Sequence, residues 1–312
     1  MKPHVLLAAR VPPFLIEKLA ERYVLHDFSQ GTDPARLELA APLVQAIVAN
    51  GESVVPGDYL ARFPALRIVT VFGVGYDGVD VCAARELGIQ VTNTPDVLTD
   101  DVADFAVALL LAVCRGVAFA DRFVRSGNWG KKPFPLSHRV SGARLGIVGL
   151  GRIGSAIAKR AEGFDMSIAY TARNARPDLS YAFYSTPEAL AAAVDILVVS
   201  TIGGPSTRGL IDAHVLNALG PQGILINVAR GTVVDEAALI DALATGKIAG
   251  AGLDVFSNEP DVPAALLAMD NVVVTPHAAS GTQDTRRAMA DLVLGNLDAF
   301  FSDQPLVTPV TA

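Results

Sequence analysis

The chain has 312 residues, 51% of them apolar and 6% aromatic, with a formal net charge of −7. This length favours two domains, each large enough to bury its own core. The acidic balance and the lack of a long basic run count against nucleic acid or an anionic membrane surface as the main partner, and the two cysteines, Cys82 and Cys114, fit neither a metal motif nor a disulfide framework, so no metal site is expected.

The first residues run without a secretory leader into a strand-like apolar segment at residues 5–9. Further strand-like runs at 45–49, 67–71 and 89–91, with helical spacing at 14–21 and 79–87, describe a small parallel α/β unit. A long helical pattern follows at 99–115. Its apolar stretch, 105–114, is too short to span a bilayer and reads as a buried helix, so no membrane partner is expected. Both cysteines fall in apolar segments and read as inert core thiols in a reducing, cytoplasmic compartment.

A loop containing Trp, Pro and Gly (residues 126–142) leads into a second series. Strand-like segments recur at 145–148, 167–170, 196–200, 224–227, 250–255 and 272–275, and a last helix covers 284–301. Short apolar strands alternating with helices suit parallel sheets covered on both faces. The expected class is α/β, with two parallel-sheet domains and the second series doubly wound.

The loop Gly149-Leu150-Gly151-Arg152-Ile153-Gly154 lies between the apolar strand 145–148 and a helix-like run from Ser155. G-x-G-x-x-G in that context marks a dinucleotide site. Gly149 permits the tight turn, Gly151 lets the pyrophosphate approach the backbone, and Gly154 allows close packing of helix on strand. The helix N-terminus presents unpaired N–H donors to the phosphates. An NAD site places a carboxylate after the next strand, on the ribose 2′-hydroxyl. Here the residues are Thr171-Ala172-Arg173-Asn174-Ala175-Arg176, with no acid and two arginines. A guanidinium pairs bidentately with a 2′-phosphate. Arg173, Asn174 and Arg176 therefore point to NADP, with NAD as the weaker alternative.

Three later segments place polar residues at carboxyl ends of predicted strands, where open α/β sheets bind ligands. They carry Arg230, the carboxylates Asp254 and Glu259, and His277. A cation, an acid and a histidine behind a dinucleotide loop are what reduction of a 2-keto acid needs. The cation takes the carboxylate, and a proton donor meets the developing alkoxide.

Together with Phe72-Gly73-Val74-Gly75-Tyr76-Asp77, these motifs run in order along essentially the whole chain. They resemble the D-2-hydroxyacid dehydrogenase family, in its glyoxylate/hydroxypyruvate reductase branch. The resemblance implies two doubly wound domains, the central one a Rossmann domain at residues 98–284. The other, at 1–97 plus 285–312, takes the substrate. It implies His277 as proton donor with Glu259 as its partner, a carboxylate that favours the imidazolium. It further implies Arg230 on the substrate carboxylate and carbonyl, and the Val74 and Gly75 N–H groups on the same carboxylate. Asp254, Val228 and Ala229 would lie at the nicotinamide carboxamide, with Thr99, Thr201, Ile202, His277 and Ala279 along the cofactor.

The implied partners are a small 2-keto or 2-hydroxy acid and a second copy of the chain, in a homodimer. Thr201-Ile202-Gly203-Gly204-Pro205 departs from the Pro-Leu-Thr stretch of many members, which leaves contacts at Gly203 and Gly204 open, and Trp129 lies in a loop that varies across the family. Alternative readings are a 3-phosphoglycerate or other D-2-hydroxyacid dehydrogenase, and a dinucleotide-sensing binding protein on the same fold. Glu259 counts against formate dehydrogenase, because that branch does not keep a glutamate there.

Overall fold

The computed structural model describes residues 2–31 and 33–311; Met1, Thr32 and Ala312, which the expected domain limits include, lie outside the described residues. The chain divides into two compact units, Met1–Leu98 with Gly281–Ala312, and Thr99–Ser280.

The first unit runs β1 (His4–Leu7), α1 (Pro13–Arg22), β2 (Val24–Asp27), α2 (Pro34–Ala40), β3 (Val44–Asn50), α3 (Gly57–Leu60), β4 (Ile68–Phe72), α4 (Val81–Glu86) and β5 (Gln90–Thr92). Its sheet is parallel throughout, in the order β2-β1-β3-β4-β5. All five residues of β4 are buried, and all but Thr70 are apolar. α2 starts where Asp33 accepts the Ala35 and Arg36 N–H groups and Pro34 opens the first turn.

The second unit runs α5 (Thr99–Cys114), α6 (Val117–Arg125), β6 (Arg144–Val148), α7 (Arg152–Glu162), β7 (Ser167–Thr171), β8 (Ala182–Phe183), α8 (Pro187–Ala191), β9 (Ile196–Val199), α9 (Ala213–Leu219), β10 (Ile224–Asn227), α10 (Glu236–Ala244), β11 (Gly250–Leu253), α11 (Ala264–Leu267) and β12 (Val272–Val274). α12 (Gln283–Phe301) then returns to the first unit, where it packs on β4. There Asp298 accepts from the Tyr23 hydroxyl at 2.7 Å and pairs with Arg22, fastening α1 to α12.

The second sheet is parallel in the order β12-β11-β10-β9-β6-β7-β8. The order reverses between β6 and β9, the switch point at which doubly wound sheets open a crevice beyond their carboxyl ends. The two parallel sheets are the α/β class expected.

α5 is an internal helix, burying Val102, Ala103, Ala106, Leu109, Leu110 and Cys114. A Cβ at Gly252 of β11 would come within 3.3 Å of both Leu109 and Val113, so that glycine sets the close approach of helix to sheet. Each fully buried leucine contributes about 1.5–3 kcal/mol, enough to explain the apolar run at 105–114 within this unit. Among the described residues no single helix is long and apolar enough to cross a membrane; α5 and α6 reach that length only together and are bent by 58°.

The strand expected at 5–9 ends at Leu7 and that at 250–255 ends at Leu253, because the apolar run outlasts the ladder. Cys82 is exposed, on a helix whose buried residue is Ala84; only Cys114 is a core thiol, and burial pushes its pKa up to about 11.

Candidate active site

The glycine loop follows β6 at the switch point. Gly149 has φ +94°, and a Cβ there would lie 2.7 Å from the Thr201 backbone. A Cβ on Gly154 would lie 2.2 Å from the Gly149 carbonyl oxygen. Both positions therefore exclude any side chain. Gly151, the residue before α7, is different: a Cβ there would meet nothing within 4 Å. Its side faces open space at the end of an eleven-residue helix whose first N–H groups lack helical partners. This cradle fits a dinucleotide pyrophosphate. Ser200 steadies it by donating to the Gly149 carbonyl at 2.8 Å. Next to it, Ile202 is 63% exposed, and Thr207 holds the turn by donating to the Ile202 carbonyl at 2.7 Å.

Beyond β7, Arg173, Asn174 and Arg176 are all exposed. The buried Tyr170 hydroxyl accepts the Arg176 N–H at 2.6 Å and so folds the loop back on its own strand. The Arg176 guanidinium is engaged by Asp178 in two bonds of 3.0 and 2.8 Å, and this pairing holds the Asp178 carboxyl below its ordinary range. Arg173 makes no such pair among the described residues. The two arginines are therefore not equivalent.

At the end of β10, Asn227 is 1% exposed. Its Oδ1 accepts the Ala229 N–H at 3.0 Å, and its Nδ2 donates to the Arg230 carbonyl at 3.0 Å. The Arg230 guanidinium donates to the Ala229 carbonyl at 2.8 Å. The next residue, Gly231, lies against the backbone of the following loop; a Cβ there would lie 1.9 Å from the Phe256 carbonyl carbon. Only glycine permits the Arg230 turn and the 254–259 loop to touch.

Asp254, at the end of β11 and 1% exposed, spends both carboxylate oxygens on the segment after β12. Oδ1 accepts from the Thr275 hydroxyl at 2.7 Å and the Ala278 N–H at 2.8 Å; Oδ2 accepts from the Ala279 N–H at 2.9 Å. Between those anchors stands His277, with φ +51°. A left-handed conformation costs a residue other than glycine of order 1–3 kcal/mol and persists where its surroundings over-determine it. Here the His277 N–H also donates to the Asp254 carbonyl at 2.9 Å.

The His277 ring nitrogen Nδ1 lies 2.8 Å from Glu259 Oε2, and Glu259 Oε1 accepts the Phe256 N–H at 2.9 Å. Burial alone would raise the Glu259 pKa. The His277 hydrogen bond and charge, the Phe256 amide and the Arg230 charge outweigh it and hold the carboxyl below its ordinary value. The Glu259 contact fixes the ring through Nδ1 and sets the direction in which Nε2 points.

In the first unit, β4 runs into Gly73-Val74-Gly75. The Asn93 amide donates to the Val74 carbonyl at 2.8 Å, while the N–H groups of Val74 and Gly75 have no acceptor among the described residues. Two neighbouring unpaired amides suit an anion. Asn93 is itself tied to the chain's end, since the Thr308 hydroxyl donates to its carbonyl at 2.6 Å and Asn296 of α12 accepts the Thr308 N–H at 3.0 Å.

The structure thus brings together Glu259 with His277, Asp254 with the Ala278 and Ala279 amides, and the Arg230 turn with the 254–259 loop. Thr99 opens α5 and is half-buried; Val228 and Ala229 are buried beside Arg230. The roles of Asn227, Gly231 and Tyr170 were not legible in the sequence. A polar residue closing an apolar strand was the available signal for Asn227.

Residues 107–279, more than half the chain, match the family model described as D-isomer specific 2-hydroxyacid dehydrogenase, NAD binding domain. The chain is 47% identical over 309 residues to hydroxyphenylpyruvate reductase of Plectranthus scutellarioides, covering 98% of each. It is also 47% identical over 309 residues to glyoxylate/hydroxypyruvate reductase A of Arabidopsis thaliana, again covering 98% of each. Among solved structures it resembles an NADPH-dependent glyoxylate/hydroxypyruvate reductase from Sinorhizobium meliloti, in complex with NADP and malonate. The TM-score is 0.94 at 47% identity, over 100% of this chain and 97% of that one.

Proposed function

This chain belongs to the D-2-hydroxyacid dehydrogenase family, and from that premise we propose that it reduces a small 2-keto acid of the glyoxylate/hydroxypyruvate class to the D-2-hydroxy acid with NADPH. The observation that carries this reading is the His277–Glu259 pair at 2.8 Å, beside an Arg230 turn fixed by Gly231. Bound on the glycine loop, the dinucleotide supplies the hydride. Arg230 binds the substrate carboxylate and polarises its carbonyl. The Val74 and Gly75 amides of the first unit suit a carboxylate in their own right. His277 gives a proton from Nε2 to the carbonyl oxygen, while Glu259 holds Nδ1 and balances the imidazolium charge. Reduction therefore consumes one hydride and one proton per keto group.

Gly149, Gly151 and Gly154, with Leu150, Arg152 and Ile153 between them, cradle the pyrophosphate. Thr99, Thr201, Ile202, Val228, Ala229, Asp254 and Ala279 line its course. Arg173 carries the 2′-phosphate, flanked by Asn174 and Arg176. We also infer a homodimer, supported by exposed apolar residues gathered in one stretch of sequence, Val117, Val124, Trp129 and Leu136. An exposed free thiol at Cys82 suits a reducing, cytoplasmic compartment.

The test is NADPH oxidation with glyoxylate, hydroxypyruvate and hydroxyphenylpyruvate, run beside His277→Ala. The last substrate is included because the relative named for it is as similar as the glyoxylate/hydroxypyruvate reductase. The variant is expected to lose ~100-fold or more in kcat. Equal turnover by both proteins would end the assignment of His277, and no turnover by the wild type would favour a dinucleotide-sensing role.

A further inference from the structure

We propose that Asn227 is a positioning residue for Arg230, holding the guanidinium at the angle from which it meets the substrate carboxylate; this rests on the reading of Arg230 given above. Asn227 ends β10 in full burial and bridges both sides of the turn that follows. Its carbonyl oxygen takes the Ala229 N–H and its amide nitrogen gives to the Arg230 carbonyl, each at 3.0 Å. Arg230 itself is extended, with φ −143° and ψ 146°. On its far side Gly231 touches the Phe256 backbone. The Arg230 Cα is thus pinned between a side-chain bridge and a backbone contact.

The bridge needs one acceptor and one donor on a short stem, in a site closed to water. Asparagine supplies both from two separate atoms, with no proton to gain or lose. Aspartate keeps its shape and the bond from the Ala229 N–H, but it sets a carboxylate oxygen against the Arg230 carbonyl. Asn227→Asp therefore strikes the Arg230 end of the turn and spares the Ala229 end. Displacement of a binding group by about 1 Å costs up to ~100-fold in rate or affinity.

The experiment is a double-mutant cycle on the full chain with Asn227→Asp, Arg230→Ala and both together, reading kcat and KM for the keto acid, NADPH affinity by fluorescence, and Tm. Asn227→Asp is expected to raise KM for the keto acid about tenfold and to lower kcat with it, with NADPH affinity within about twofold of wild type. In the Arg230→Ala background the same substitution is expected to change nothing further. An additive loss in that background, a wild-type KM, or a loss traced wholly to NADPH affinity would overturn the proposal. Asn227→Ser, which keeps an acceptor for the Ala229 N–H, carries the same expectations should the aspartate variant fail to fold. If Arg230→Ala alone retains full activity, the reading of Arg230 fails instead.

Discussion

At the carboxyl ends of β10 and β11, Asn227 and Asp254 are each 1% exposed and between them make five hydrogen bonds to the turns that carry Arg230 and His277. At the end of β7, by contrast, Arg173, Asn174 and Arg176 are exposed, and one pair, Arg176 with Asp178, orders the guanidinium. The first region is built for position. Proton transfer at a carbonyl tolerates errors of only fractions of an ångström, so the groups that set it are buried and fully hydrogen-bonded. The second is built for charge. A phosphate needs a cation nearby, and exposed ion pairs are weakly held and screened by salt.

The contrast breaks most sharply at Gly231. Gly231→Ala would drive a Cβ into the Phe256 backbone. The expected result is a loss of kcat/KM of ~100-fold or more together with a lower Tm; wild-type kinetics from a folded variant would show that contact of the two loops is not needed.

Glu259→Gln comes next, with a loss of about tenfold or more in kcat expected from steady-state assays. It also has a pH signature. Because the folded Glu259 pKa is depressed, its stabilising contribution is complete above the ordinary glutamate value and is lost as pH falls through the lower folded one. The Tm gap between wild type and Glu259→Gln should therefore narrow from pH 6 towards pH 3. A gap that stays constant would mean that the charge of Glu259 contributes nothing to the fold.

At the charge-built end the effects shrink. Arg173→Ala is expected to weaken NADPH about tenfold and NADH hardly at all, measured by titration; equal weakening of both would remove the 2′-phosphate from this loop. Asp178→Asn should do least. It frees Arg176 and removes a negative charge, tightening NADPH by less than about threefold with no measurable change in Tm. A marked loss of NADPH binding would instead make the Arg176–Asp178 pair a built part of the site.

The long buried strands and the amphipathic or apolar helices were legible in sequence because their patterns persist over many residues. The elements passed over are short or weakly patterned. β2 is a half-exposed edge strand of sequence Val-Leu-His-Asp, β8 has two residues, and α3 is a single turn. α6 was hidden because Gly116, at φ +60°, separates it by one bend from α5, and residues 117–125 fell between the helical pattern at 99–115 and the loop at 126–142. Cys82 misled because its helix is only six residues long, too brief to reveal which face turns inward.

At the site, Arg230, Glu259 and His277 stood out as polar residues at strand ends. Their supporting shell did not. The clamp of Asp254 on residues 275–279 joins segments more than twenty residues apart, and the meeting of Gly231 with Phe256 depends on backbone proximity that no local pattern encodes. The unequal status of Arg173 and Arg176 likewise turned on Asp178, two residues beyond the stretch that carried the argument.

Residues 308–310 lie antiparallel along β5: Thr92 pairs with Pro309, and the Val310 N–H donates to the Val91 carbonyl at 2.8 Å. β5 is the outer strand of its sheet, and an uncovered outer strand is a template for another chain's backbone. The tail is thus a seal as well as a tether. A chain trimmed back to Ser302 would bare that edge and lay it open to self-association.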